Sequence, residues 1–183
     1  VKPVTYRPAT RGKNQAIEKA VDLLINAKKP IFYGGGGIIN SGPAACKKFS
    51  DFVRATGYPC TLTLMGLGAF PASDKQFLGM LGMHGTYEAN MAMHGCDVMI
   101  AVGSRFDDRI TGRLDAFAPD AKIIHIDIDP SSINKNVAVD VPIIGNVGHV
   151  LGQLIGAFDK RKNRKGNGKE LKAWWKKIEE WRS

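Results

Sequence analysis

Apolar positions recur along this chain at two spacings. Between residues 14 and 28, Ile17, Ala20, Val21, Leu24 and Ile25 fall three and four apart, on one face of a helix. Asn14 is placed to cap it, Lys28 and Lys29 suit its C-terminus, and Pro30 stops it. Ala44, Ala45, Phe49, Phe52 and Val53 repeat the pattern from about Gly42 to Thr56, with Gly57 as the breaker. Two more helices are predicted: a short one capped by Thr86 and closed by Gly95, and one over Val147–Phe158. Between the helices lie short runs that are apolar at successive positions: Ile31–Tyr33, Pro59–Leu64, Asp97–Gly103, Lys122–Asp127 and Val141–Ile144. A strand apolar on both faces is covered on both, as in a parallel sheet under helices. Residues 65–85, with Gly66, Gly68, Gly79, Gly82 and Gly85, read as loop. The alternation predicts an α/β fold: a doubly wound, mostly parallel sheet with helices on both faces and right-handed crossovers.

This pattern divides the chain into an incoming linker (1–13), a central α/β domain (14–158), and a basic linker with an amphipathic helix (159–183) expected to lead to an absent domain. The length of 183 residues suits one domain with short extensions. The start at Val1, without a signal segment, reads as part of a longer protein. No apolar run reaches the ~20 residues of a membrane span. Cys46, Cys60 and Cys96 are widely spaced and set among apolar residues, so reduced thiols and a cytoplasmic location are expected. The net charge of +9 is concentrated in Lys160–Ser183, where ten Lys/Arg face three Glu. The body is nearly neutral, which argues against a nucleic-acid groove. Trp174, Ile178 and Trp181 share one helical face in the tail, a pattern for docking on protein.

In an open parallel sheet, ligands bind beyond the carboxyl ends of the strands, so those ends carry the candidate chemistry. Gly34–Gly37 follows the first strand; it fits either a phosphate loop or a tight turn, and lacks the G-x-G-x-x-G spacing and the P-loop lysine. Thr61 and Thr63, with Gly66 and Gly68, follow the second strand and could hydrogen-bond a ligand or simply leave the sheet. Gly103-Ser104-Arg105-Phe106-Asp107-Asp108-Arg109 puts two arginines where a diphosphate would sit, against the alternative of a solvated charge run. Asp127 and Asp129 could accept ribose hydroxyls or cap the next turn. His84 lies in a glycine-rich loop without a second group at triad or metal spacing, so no catalytic residue and no metal site are expected.

Three blocks add a resemblance. Gly79-Met80-Leu81-Gly82-Met83-His84-Gly85-Thr86-Tyr87-Glu88-Ala89-Asn90, then Asp97 through Arg109, then His125-Ile126-Asp127-Ile128-Asp129-Pro130 resemble the acetolactate synthase (acetohydroxyacid synthase) large subunit, over about Gln15–Gly156. The resemblance implies the central, Rossmann-like domain of a thiamine-diphosphate enzyme, which holds FAD in a structural role. It implies FAD contacts at Gly35, Gly36 and Gly37; at Thr63 and Leu64; at Leu81, Gly82, Met83 and His84; at Gly103, Ser104, Arg105, Asp107 and Arg109; and at Asp127 and Ile128. Gly145 and Asn146 stand where the family usually has Gly-Asp, a further adenosine contact. The parent enzyme would condense two 2-oxoacids in branched-chain amino-acid synthesis, as a homo-oligomer with a possible regulatory subunit. Thiamine diphosphate and Mg²⁺ would bind in flanking domains, because the Gly-Asp-Gly…Asn-Asn segment and the activating glutamate are missing here. Alternatives are another thiamine-diphosphate enzyme, of the glyoxylate carboligase, pyruvate oxidase or oxalyl-CoA decarboxylase type, or a free-standing NAD-binding enzyme.

Overall fold

Short runs of apolar residues pair side by side into a sheet, and helices packed on its two sides cover the central strands. The computed structural model describes residues 8–106, 117–161 and 168–183. Its strands are β1 (Pro30–Gly34), β2 (Cys60–Leu62), β3 (Phe77–Met80), β4 (Val98–Val102), β5 (Lys122–Asp127) and β6 (Val141–Ile144). All pairings are parallel, and the spatial order is β3-β2-β1-β4-β5-β6. The helices are α1 (Asn14–Asn26), α2 (Gly36–Asn40), α3 (Pro43–Thr56), α4 (Tyr87–Gly95), α5 (Val147–Arg161) and α6 (Gly168–Arg182).

The two-residue period of the strands sorts side chains into two cores. Phe32, Ile100, Val102, Ile124 and Ile126 face α1, α3 and α5. Ile31, Tyr33, Met99, Ala101 and Ile123 face α4 and α6. A doubly wound α/β sheet is therefore what forms. Asp97 fixes the turn into β1 by accepting hydrogen bonds from the N–H groups of Lys28 and Lys29, both at 2.8 Å.

Several expectations shift. Asn14 is not the cap of α1: the helix starts after Lys13, with no side-chain capping bond. The segment from Met65 to Gly85 is not only loop. A 3-10 turn at Leu64–Gly66 takes Leu64 out of the expected strand and opens the segment, and the edge strand β3 follows within it, joining β2 through a register shift at Cys60/Thr61. The tail helix α6 docks on this domain. Trp174 and Ile178 are buried in the second core, and Trp174 Nε1 donates to Pro30 O at 3.1 Å. Arg182 Nη2 donates to the carbonyls of Lys75 and Phe77, closing part of the exposed edge of β3.

Candidate functional site

The direction of winding reverses between β1 and β4, since β2 and β3 lie to one side and β5 and β6 to the other. In an open parallel sheet this switch point, beyond the carboxyl ends of the two strands, is where a ligand crevice is expected. The glycine segment leaves β1 here and Gly103–Phe106 leaves β4.

The two exits interlock through backbone. Gly37 N–H donates to Gly103 O at 3.0 Å, and Gly35 N–H to Val102 O at 2.8 Å. A Cβ on Gly35 would stand 2.3 Å from Gly103 O, and one on Gly37 would stand 2.7 Å from Gly103 Cα. Gly103 itself sits at φ +59, in the left-handed region that favours glycine. Gly35 is buried, whereas Gly36 and Gly37 retain partial exposure. The short helix α2 begins at Gly36, directly after the interlocked Gly35.

Beyond β2, Thr63 caps the 3-10 turn by accepting from Gly66 N–H at 3.0 Å. Thr61 is spent inside the fold, its hydroxyl donating to Phe32 O. The turn lifts Leu64 and Met65 into solvent, 68% and 73% exposed. Beyond β3, the side chain of Asn90 holds Gly82 from both sides, accepting from its N–H and donating to its carbonyl. Leu81 turns into the core, while Met83 is 83% exposed and His84 is exposed beside it. Ile128, beyond β5, is 40% exposed. Large apolar side chains are thus presented around the carboxyl ends of the sheet, although the interior holds many others at near-zero exposure.

The β4 exit supplies the polar half. Ser104 is buried, and its hydroxyl has no hydrogen-bond partner among the described residues. Its carbonyl accepts from His125 Nε2 at 2.7 Å. Arg105 is exposed, and Phe106 returns to the core at φ +49, stacked edge-on with His125 and Phe117. Burial pushes the His125 imidazole below its usual value, against opposing contributions from the Ser104 carbonyl and from Asp127. Asp127 Oδ1 accepts from Asp129 N–H at 2.9 Å, and Oδ2 lies 3.7 Å from His125 Nε2. Asp129 caps the following turn, accepting from Ser131; those bonds hold its carboxyl below the usual range. Gly145 lies against Arg11 and Val150, and Asn146 Oδ1 caps α5 by accepting from Gly148 and His149. Asp107 and Arg109 lie outside the described residues.

The fold therefore gathers Gly35–Gly37 with Gly103–Arg105 at the switch point. The Thr63–Leu64, Gly82–His84 and Asp127–Ile128 ends line the same edge of the sheet. Sequence reasoning did not single out Met65 or Asn90, nor give His125 a role. Exposure and side-chain-to-backbone bonds leave no periodic trace in a sequence. Among the described residues, no group of three or more His, Cys, Asp or Glu could hold a metal, and no helix is long and apolar enough to cross a membrane.

Comparison with known proteins adds the lineage of this geometry. The family model described as "Thiamine pyrophosphate enzyme, central domain" matches residues 17–154. The acetolactate synthase isozyme 3 large subunit of Escherichia coli is 47% identical over 179 residues, covering 98% of this chain and 31% of the relative. The acetolactate synthase large subunit of Haemophilus influenzae is 47% identical over 180 residues, 98% of this chain and 30% of the relative. The acetolactate synthase of Mycobacterium leprae is 47% identical over 174 residues, 95% of this chain and 27% of the relative. The chain spans less than a third of the length of these relatives. With the match covering most of its sheet and helices, the chain belongs to the family of thiamine pyrophosphate enzyme central domains.

Proposed function

We propose that this chain is the FAD-holding central domain of an acetolactate synthase large subunit, and that it contributes cofactor binding and not catalytic groups. The observation that carries the reading is the switch point, where exposed Arg105 and the buried, unpartnered hydroxyl of Ser104 adjoin a sheet edge rimmed by exposed Leu64, Met65, Met83 and Ile128. A dinucleotide with an aromatic ring system needs both halves: a backbone that lets a diphosphate come close beside a guanidinium, and apolar surface for the rings.

The residues present fit the group. Ser104 carries a buried hydroxyl without a partner beside Arg105, and Asp127 stands at a strand end where a carboxylate accepts ribose hydroxyls. Gly35–Gly37 and Gly103–Arg105 would hold the diphosphate and ribitol, with Asp107 and Arg109. Thr63, Leu64 and the Leu81–His84 segment would line the flavin, Leu81 through its backbone because its side chain is buried. Asp127 and Ile128 would meet the adenosine. Gly145 and Asn146 fit less well, because the Asn146 carbonyl already caps α5. Bound FAD would serve structurally, filling the crevice and covering its apolar rim.

The parent reaction, condensation of pyruvate with a second 2-oxoacid, would need thiamine diphosphate and Mg²⁺ held by other domains. A homo-oligomer, a small regulatory subunit and a cytoplasmic location accompany this reading; free Cys46, Cys60 and Cys96 suit a reducing compartment. Titration of the 183-residue chain with FAD, ADP and NAD, followed by flavin fluorescence or calorimetry, tests it. Saturable FAD binding that Arg105→Ala weakens supports the proposal; binding of NAD in place of FAD would refute it. The chain alone is expected to form no acetolactate from pyruvate, thiamine diphosphate and Mg²⁺.

A further inference from the structure

The turn leaving β4 holds one residue in water between two that are locked down. Ser104 is buried, with its carbonyl bound to His125 Nε2 at 2.7 Å. Phe106 is buried, its ring 5.0 Å from the His125 ring, and its carbonyl accepts from Asn136 Nδ2 at 2.8 Å. Arg105, between them, is exposed. The peptide unit before it carries the anchored Ser104 carbonyl, and the chain after it is held one residue on, at the Phe106 ring and carbonyl. Phe106 also occupies φ +49. A bulky residue keeps that conformation only where its surroundings over-determine it, and such strain gathers at functional sites.

His125 touches both anchors: one through its N–H, the other through its ring. Its burial favours the neutral imidazole, whose single N–H must sit on Nε2 to donate to a carbonyl. We infer that His125 is a positioning residue for Arg105, holding the Ser104 carbonyl and the Phe106 ring so that the guanidinium is preset for the diphosphate of a nucleotide over the β1–β4 exits. The inference rests on the nucleotide-binding reading above. Presetting matters because binding that must also order a loop loses affinity, and a turn whose backbone is already anchored removes that cost.

The test measures ADP affinity and its salt dependence by calorimetry for the parent chain, His125→Leu, His125→Gln, Asn136→Ala and Arg105→Ala. Glutamine can present an N–H near the position of Nε2, whereas leucine fills space without a donor. His125→Leu is expected to weaken ADP about tenfold and to flatten the salt dependence that a guanidinium–phosphate contact produces. His125→Gln is expected to keep the affinity within about threefold, with the parent's salt slope. Asn136→Ala, a surface change that should not endanger folding, is expected to weaken ADP several-fold at unchanged melting temperature. Should His125→Leu fail to fold, the Asn136→Ala result decides alone. Parent-like ADP binding in Asn136→Ala, or in a folded His125→Leu, overturns the inference. So does an equal loss in His125→Gln and His125→Leu, which would assign His125 a packing role only. Parent affinity in Arg105→Ala would overturn it while leaving nucleotide binding intact. A parent chain that binds no nucleotide removes both readings together.

Discussion

Replacing Gly35 by alanine isolates the interlock between the two strand exits. Gly35 has φ −114 and ψ −177, an extended conformation open to any residue, so alanine brings no backbone strain. In an unconstrained position the change would even stabilise by about 0.4–1 kcal/mol, by narrowing the unfolded ensemble. Its cost here must come from contact. The new Cβ would lie 2.3 Å from Gly103 O and 2.7 Å from Ser104 Cα, both backbone atoms, where ordinary contact begins at 3.4 Å. The β4 exit must therefore retreat by roughly 1 Å, a displacement of the size that costs about 1–3 kcal/mol in a close-packed interior. That movement pulls on the Gly37–Gly103 hydrogen bond of 3.0 Å, worth about 1 kcal/mol more. A loss of about 2–4 kcal/mol lowers the melting temperature of a domain this size by roughly 4–16 °C. Thermal unfolding by circular dichroism measures it. Gly156→Ala, in the middle of α5 with open space around its Cβ, is the control and is expected to stabilise by about 0.5–1 kcal/mol. A Gly35→Ala protein that melts within 2 °C of the parent, or rises like the control, refutes the interlock.

Trp174→Ala removes a buried indole and its hydrogen bond to Pro30 O, and is expected to cost about 3–5 kcal/mol and release α6; denaturant unfolding and tail proteolysis read both effects. Asn146→Ala removes the cap of α5 and is expected to cost about 1 kcal/mol, whereas Asn146→Asp should be neutral or stabilising, since a carboxylate also suits a helix N-terminus. Met83→Ser alters a side chain that is 83% exposed, so stability should stay within about 0.5 kcal/mol while FAD affinity falls. His125 sets a pH dependence. Its folded-state value is depressed by burial, so the unfolded chain binds the proton first as pH drops. Stability is therefore full above the unfolded value near 6.5 and is lost below it, by up to about 1.4 kcal/mol per pH unit. Melting curves between pH 7 and 5 should show this fall, and His125→Gln should reduce it.

The sheet was legible because its strands break the usual alternation. Val98–Val102 is apolar at five successive positions, and all five are buried. Gly57 and Thr86 also behave as their chemistry suggests: Gly57 closes α3 at φ +72, and Thr86 accepts from Ala89 N–H. Two elements escaped. β3 is Phe-Leu-Gly-Met, half-buried at three of four positions and carrying Gly79 at φ +100, so it offers neither alternation nor a continuous buried run. α2 is Gly-Gly-Ile-Ile-Asn, poor in helix propensity, and is held by tertiary contacts with Gly103 and Met65 that no local pattern encodes. Asn14 misled by a single position, the ordinary ambiguity of a helix boundary.

The site was legible in place but not in cause. The sequence left Gly34–Gly37 open between ligand loop and tight turn, and the contacts change what that choice means. Gly35 and Gly37 are needed because Gly103 comes against them, and a Cβ on Gly66 would lie 2.5 Å from Gly34 O. These glycines satisfy a demand inside the protein, so their number alone is weak support for a ligand. The weight moves to groups that the fold leaves unspent: exposed Leu64, Met65 and Met83, exposed Arg105, and the unpartnered hydroxyl of Ser104. Asp129 shows the converse. It was open between ribose acceptor and cap, and its bonds to Ser131 commit it to the cap. Asp127, whose side chain is 11% exposed with Oδ1 taken by Asp129 N–H, keeps a carboxylate oxygen at the strand end. A candidate residue is best weighed by what its own fold has already made it do, and by that measure Arg105 and Asp127 outrank the glycines that first drew attention to the crevice.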